Sequence, residues 1–276
     1  MIYVIGLGPG RKEEMTQRAL ESLERCDVIL GYRTYIDLVA PLFPDKTLRP
    51  SSMRQETERC REALALALEG HTVGLVSSGD PGVYGMAGLM LEIAGDQTEI
   101  EIVPGITAAN SAAAVLGAPL MQDFAVISLS DLLTPRELIE RRLLAAAQAD
   151  FVLCLYNPSS RGRPHHFQWA CGLVLRHRPP ETPAGWVRDI GRPGQSHCVT
   201  TLGEIQDTRL DMFCTAIIGN SQTAIKEGRM VTRRGYPLGP SGKSPAFCSD
   251  TAGRVDAVLP SGTGNPARLP QEEDPA

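Results

Sequence analysis

The segment Ser77-Ser78-Gly79-Asp80-Pro81-Gly82-Val83-Tyr84-Gly85-Met86 sets small residues, a proline and one carboxylate directly after the apolar run Val73–Val76. Glycines let a backbone approach a ligand closely, and proline fixes the turn that aims Asp80. The carboxylate can accept hydrogen bonds or offset a positive charge. Ligands of α/β proteins sit at the carboxyl ends of strands, so the segment reads as a binding loop. The alternative is an ordinary strand-to-helix turn. Four further segments follow apolar runs in the same way: Gly6-Leu7-Gly8-Pro9-Gly10, Pro104-Gly105-Ile106-Thr107-Ala108, Tyr156 to Arg163, and Arg188-Asp189-Ile190-Gly191-Arg192-Pro193-Gly194. The first is a poor dinucleotide fingerprint. Pro9 interrupts its glycines, no third glycine has the G-x-G-x-x-G spacing, and no acid ends the next strand.

The elements that must position these loops are eight apolar runs: Ile2–Ile5, Val28–Leu30, Val73–Val76, Ile100–Val103, Ala125–Ser128, Phe151–Leu155, Ala184–Val187 and Cys214–Ile218. Continuous runs imply strands covered on both faces, which predicts mostly parallel α/β sheets. Helices are predicted from Ser52 to about Glu69 and from Thr134 to about Gln148. Ser52 and Thr134 would be the hydroxyl N-caps, with Gln55 and Glu137 three residues on and Pro135 in the first helical position. Gly117-Ala118-Pro119 breaks the pattern and divides the chain into domains 1–120 and 121–236. Residues 237–276 are rich in Pro, Gly and Ser without an apolar period, which predicts a disordered tail. No internal repeat is evident.

The 276 residues, 42% of them apolar, suffice to bury the cores of two modest domains. The charge-free run from Val103 to Gln122 contains Pro104, Gly105, Asn110 and Ser111, which suit a loop and a small-residue helix better than a membrane span. No basic region opens the sequence as in a signal peptide, so a cytoplasmic location is expected. Seven scattered cysteines without a C-x-x-C pair give no disulfide framework or zinc motif. Adjacent His165 and His166 do not share a helix face, and no metal site is expected. A net charge of −5 argues against broad nucleic-acid binding, while a small polyanion held by local arginines remains compatible.

Taken in order, these loops resemble the tetrapyrrole methylase family, which transfers methyl groups from S-adenosylmethionine to corrin and porphyrin precursors. The resemblance runs from Met1 to about Tyr236. Gly31-Tyr32-Arg33-Thr34-Tyr35, Met53-Arg54-Gln55-Glu56, Ser77 to Met86, Leu155-Tyr156-Asn157-Pro158 with Arg161-Gly162-Arg163, and Met230 to Tyr236 resemble the branch that methylates C17 of a precorrin in cobalamin synthesis. It implies a two-domain class III methyltransferase fold, distinct from Rossmann-like methyltransferases, with the cofactor in the interdomain cleft and a homodimeric assembly. Carried over by motif, the cofactor contacts fall on Pro9, Ser78, Gly79, Asp80, Val83, Thr107, Ala108, Tyr156, Asn157, Gly191 and Ala216. Asn157 departs from the family at large, where an apolar residue is common.

The implied substrate carries acetate and propionate groups, which suit forked guanidinium donors. Arg33, Arg54, Arg161 and Arg163 are the substrate-binding candidates, each alternatively a solvated surface arginine. The implied reaction also contracts the macrocycle, which calls for acid–base assistance. Tyr32, Tyr35 and Tyr84 are the catalytic candidates, with Asp80 expected in a binding role. The sequence does not choose among the tyrosines, nor between a metal-free and a cobalt-containing substrate. Methylation of another tetrapyrrole carbon, modification of RNA or protein, and a non-catalytic tetrapyrrole carrier are the competing readings.

Overall fold

The first half of the chain builds one sheet from strands that are mostly apolar along their whole length. The computed structural model describes residues 1–237. In it β1 (Ile2–Gly6), β2 (Val28–Tyr32), β3 (Thr47–Ser51), β4 (Val73–Ser77) and β5 (Ile100–Val103) form an all-parallel sheet in the order β3-β2-β4-β1-β5. Side chains alternate faces along a strand. Ile2, Val4, Leu30 and Leu75 therefore pack against α3 (Glu56–Leu68) and α4 (Ala87–Ala94). Tyr3, Ile5, Ile29 and Val76 face the opposite way, onto α1 (Gln17–Arg25) and α2 (Arg33–Val39). Burial on both faces accounts for the unbroken apolar runs.

A crossover helix, α5 (Ala108–Leu116), leads through the two-residue strand β6 (Gly117–Ala118) to a second sheet. Its strands are β7 (Phe124–Ser128), β8 (Val152–Tyr156), β9 (Pro183–Arg188), β10 (Ser196–Thr201) and β11 (Cys214–Ile218), in the order β10-β9-β11-β8-β7. Only the β7–β8 pair is parallel, and the other three pairs run antiparallel. Continuously apolar runs occur in this mixed sheet as in the parallel one, because double-sided cover, rather than strand direction, makes a run apolar. On one face α6 (Arg136–Gln148) and α7 (His166–Val174) contribute Ile139, Leu143, Phe167 and Ala170. On the other, Ala109, Ala112, Ala113 and Leu116 of α5 pack on Cys154, Val187 and Ile217. A hairpin of β12 (Thr223–Lys226) and β13 (Arg229–Thr232) adds β6 as a parallel neighbour of β13. Met1–Arg234 form one compact unit.

All eight apolar runs are strands. Both helix starts lie later than the capping residues suggest. Gln55 does reach back to the Ser52 N–H, at 3.0 Å, but Arg54 then turns to φ 64°, and α3 begins at Glu56 with no side-chain cap. Pro135, at φ −55° and ψ 139°, occupies the cap position of α6 that Thr134 was expected to hold. The charge-free run from Val103 resolves into a loop and α5. Among the described residues no helix is long and apolar enough to cross a membrane, and no group of three or more His, Cys, Asp or Glu side chains is placed to hold a metal ion. The tail expectation for 237–276 lies, apart from Pro237, outside the described residues.

Candidate active site

The loops after β1, β4 and β5 leave three adjacent strands from the same edge of the first sheet, and they pack backbone against backbone. The Leu7 N–H donates to Ser77 O at 2.8 Å, and Gly8 and Gly79 exchange hydrogen bonds of 3.0 and 2.8 Å. A Cβ on Gly6 would lie 2.6 Å from Gly105 N and 2.7 Å from Gly79 O. No larger residue fits there without separating the loops. Asp80 fastens the arrangement: Oδ1 accepts the Gly82 N–H at 2.8 Å and Oδ2 accepts the Gly105 N–H at 3.1 Å. One carboxylate thus shapes its own turn and staples the third loop to the second.

The second sheet closes over these loops through side chains. The Tyr156 hydroxyl, at the end of β8, accepts the Ala109 N–H at 2.6 Å and lies 2.7 Å from Thr107 Oγ1. Thr107 is the N-cap of α5 but makes no capping bond with its own side chain, so Tyr156 supplies the acceptor that the helix start requires. Burial pushes the Tyr156 hydroxyl pKa up, against the lowering effect of these hydrogen bonds. Tyr84, held at φ 55°, donates to Val126 O at 3.0 Å and accepts the Ser128 N–H at 3.2 Å. Its hydroxyl thereby satisfies two groups of β7, an edge strand. From the loop after β9, Arg192 donates through Nε to Pro9 O at 3.2 Å and through Nη2 to Ser78 Oγ at 2.8 Å. The parts enclose a cavity of about 220 Å³.

The family profile "Tetrapyrrole (Corrin/Porphyrin) Methylases" matches residues 1–206. The chain belongs to the tetrapyrrole methylase family. A relative from Salmonella typhimurium, named "Probable cobalt-factor III C(17)-methyltransferase", is 47% identical over 241 residues, covering 86% of this chain and 100% of its own. The Sinorhizobium "Precorrin-3B C(17)-methyltransferase" is 40% identical over 242 residues, with 86% of this chain and 93% of its own covered. Among solved structures, that of the methyltransferase CobJ aligns with a TM-score of 0.80 at 38% identity, over 84% of this chain and 99% of that one.

In this tetrapyrrole methylase, nine of the expected cofactor contacts line the cavity. Pro9, Ser78, Gly79, Asp80 and Val83 come from the first two loops, Thr107 and Ala108 from the start of α5, and Tyr156 and Asn157 from the end of β8. Two expected contacts lie elsewhere. Gly191 packs against the loop after β1, where an added Cβ would sit 2.5 Å from Pro9 Cβ. Ala216 is fully buried in β11 and belongs to the core under α6 and α7, while Cys214 and Thr215 line the cavity. All three tyrosine candidates line it. Tyr32 and Tyr35 meet edge to face with ring centroids 5.4 Å apart, and burial raises the Tyr35 hydroxyl pKa.

None of the four arginine candidates lines this cavity. Arg33, Arg54 and Arg161 are exposed. Arg163 is engaged within the protein, donating to Leu129 O at 2.9 Å and Asn157 O at 3.0 Å, with Asp131 3.8 Å away. Arg192 occupies the wall instead. The sequence points to its loop through the glycines but not to its side chain, whose partners lie 114 and 183 residues away. His166, considered as a metal ligand, pairs with Asp131 at 2.9 Å, and His165 caps α7 without a side-chain bond.

Proposed function

We propose that this tetrapyrrole methylase transfers a methyl group from S-adenosylmethionine to C17 of a precorrin-3B-type macrocycle, in metal-free or cobalt form, with ring contraction during corrin synthesis. The observation that carries the reading is the convergence of strand-end loops on one cavity lined by loop backbone and small residues, by tyrosines, and by a turn carboxylate, Asp80, fixed by two backbone donors. That donor set fits a cofactor with polar groups and a cationic centre: Gly79 and Ala108 permit close approach, Val83 and Ile106 offer apolar contact, and Asp80 carries negative charge. Pro9, Ser78, Gly79, Asp80, Val83, Thr107, Ala108, Tyr156 and Asn157 would hold it, with Cys214 and Thr215 in place of Gly191 and Ala216.

When bound, the cofactor supplies an already activated methyl group on a sulfonium. The protein's part is alignment and electrostatics. Asp80 keeps both oxygens on backbone donors, which limits how strongly it can pair with a cation and so avoids stabilising the ground state above the transition state. Tyr84 uses its hydroxyl in both directions on β7 and acts as a positioning group. Proton donation during ring contraction therefore falls to Tyr32 or Tyr35. A tyrosine phenol is protonated at neutral pH, the form that can donate, and burial raises the Tyr35 pKa further, so the donor would act through position rather than through acidity. Exposed Arg33, Arg54 and Arg161 would meet the carboxylates at the macrocycle rim. Division into domains 1–120 and 121–236, a homodimeric state and a cytoplasmic location complete the proposal.

Calorimetry with S-adenosylhomocysteine tests the site. One molecule bound per protomer is expected, and absence of binding overturns the reading. A tetrapyrrole carrier would bind the macrocycle without producing S-adenosylhomocysteine.

A further inference from the structure

Three charged side chains line the cavity: Asp80, Asp189 and Arg192. Both acids are engaged. Asp80 accepts two backbone N–H groups, and Asp189 Oδ2 accepts Arg188 Nε at 3.3 Å. Arg192 differs, since no carboxylate among the described residues lies within ion-pairing distance of it. Its two bonds go to neutral acceptors, Pro9 O and Ser78 Oγ. A guanidinium carries five N–H donors, so three remain free.

The fork is also held in advance. The Arg192 N–H closes a turn onto Asp189 O at 2.9 Å, and the Gln195 N–H returns to Arg192 O at 3.1 Å. Within that turn Gly191 stands at φ 68°, its N–H held by Gln195 Oε1 at 2.8 Å and its carbonyl by Arg11 Nε at 3.1 Å. A cation that is half-buried, unpaired and pre-ordered binds a planar anion without the usual ordering cost. Asp80 and Asp189 exclude a bare anion that brings no compensating polar contacts elsewhere.

We infer that Arg192 is the binding residue for a carboxylate of the bound ligand. The same contact fastens the loop after β9 to the loops after β1 and β4. The inference rests on the methyl-transfer reading, under which two reactants carry the required group: the amino-acid end of the cofactor and the acetate or propionate arms of the macrocycle.

The test compares full-length wild type, Arg192→Gln and Arg192→Lys with two probes. S-adenosylhomocysteine has the carboxylate, and methylthioadenosine lacks the amino-acid end. A cofactor carboxylate predicts that Arg192→Gln weakens S-adenosylhomocysteine about ten- to a hundredfold while methylthioadenosine changes less than about twofold. Unchanged S-adenosylhomocysteine binding with KM for the macrocycle raised by the same factor assigns the carboxylate to the substrate. In either case Arg192→Lys, which keeps the charge and loses the fork, should recover part of the effect. Equal weakening of both probes by both variants, or no change in any parameter, overturns the proposal. Failure of wild type to bind either probe would refute the methyl-transfer reading itself.

Discussion

Replacement of Asp80 by alanine separates a ligand contact from a structural staple. The sequence places Asp80 in a binding loop, where truncation would leave stability untouched. The structure instead gives each carboxylate oxygen a backbone donor, Gly82 N–H at 2.8 Å and Gly105 N–H at 3.1 Å, and the second bond joins two loops of the cavity wall. Hydrogen bonds to a charged group contribute roughly 1.5–3 kcal/mol each when buried. Asp80 is half-buried, so water replaces part of the loss and about 2–4 kcal/mol in total is expected. For a chain of this size that corresponds to a fall in Tm of roughly 5–15 °C. Asp80→Asn keeps one acceptor but turns an amide N–H toward one of the two donors, so its loss should approach that of alanine. Thermal unfolding and S-adenosylhomocysteine calorimetry on the same preparations read both effects. A Tm unchanged within about 2 °C of wild type would refute the staple, because that is less than one such bond contributes.

Tyr84→Phe removes the hydroxyl from Val126 O and the Ser128 N–H; because Tyr84 is 59% exposed, water can substitute and only about 1 kcal/mol of stability should be lost in chemical denaturation. A larger fall in kcat than in cofactor affinity is expected alongside it, and unchanged kinetics would show that the β7 contact has no part in positioning. Arg59 is only 4% exposed and donates to Ser51 Oγ, Ser52 O and Met86 Sδ, so Arg59→Ala should cost about 3 kcal/mol; a loss below about 1 kcal/mol would contradict that role. At Asp131 burial opposes ionisation, yet the His166 hydrogen bond and charge, with Arg163, hold its carboxyl below the usual 3.8. Its folded pKa lies below the unfolded one, so its stabilisation is present above pH 3.8 and is lost as pH falls through the depressed value. Asp131→Asn should therefore narrow the stability difference between neutral and acid pH, and parallel pH profiles for the two proteins would count against the pair. Burial pushes the Cys154 and Cys171 thiols up to about 12, so peptide mapping after alkylation at pH 8 should find exposed Cys198 modified and these two intact.

Strands covered on both faces were legible because apolar side chains dominate their successive positions. The strands β3 and β10 gave no such signal: Thr47–Ser51 and Ser196–Thr201 lie at sheet edges, mostly exposed, and their polar residues match solvent rather than a core. Strand direction in the second sheet was equally hidden, since α5 and the α6–α7 layer bury it whichever way the strands run. The loop segments that line the cavity were readable from glycine, proline and strand context. Roles that depend on long-range pairing were not. Tyr156 caps a helix whose first turn lies 47 residues upstream, and Arg192 meets Pro9 and Ser78 across 183 and 114 residues of chain. A guanidinium that pairs across the fold carries no mark in the residues around it.

Turnover is the most direct test of the account. The full chain, incubated with S-adenosylmethionine and either precorrin-3B or its cobalt-containing counterpart, should release S-adenosylhomocysteine in proportion to a macrocycle product heavier by one methyl group, with a changed visible spectrum as the ring contracts. Tetrapyrrole binding with neither S-adenosylhomocysteine nor a methylated product from either substrate would contradict the assignment.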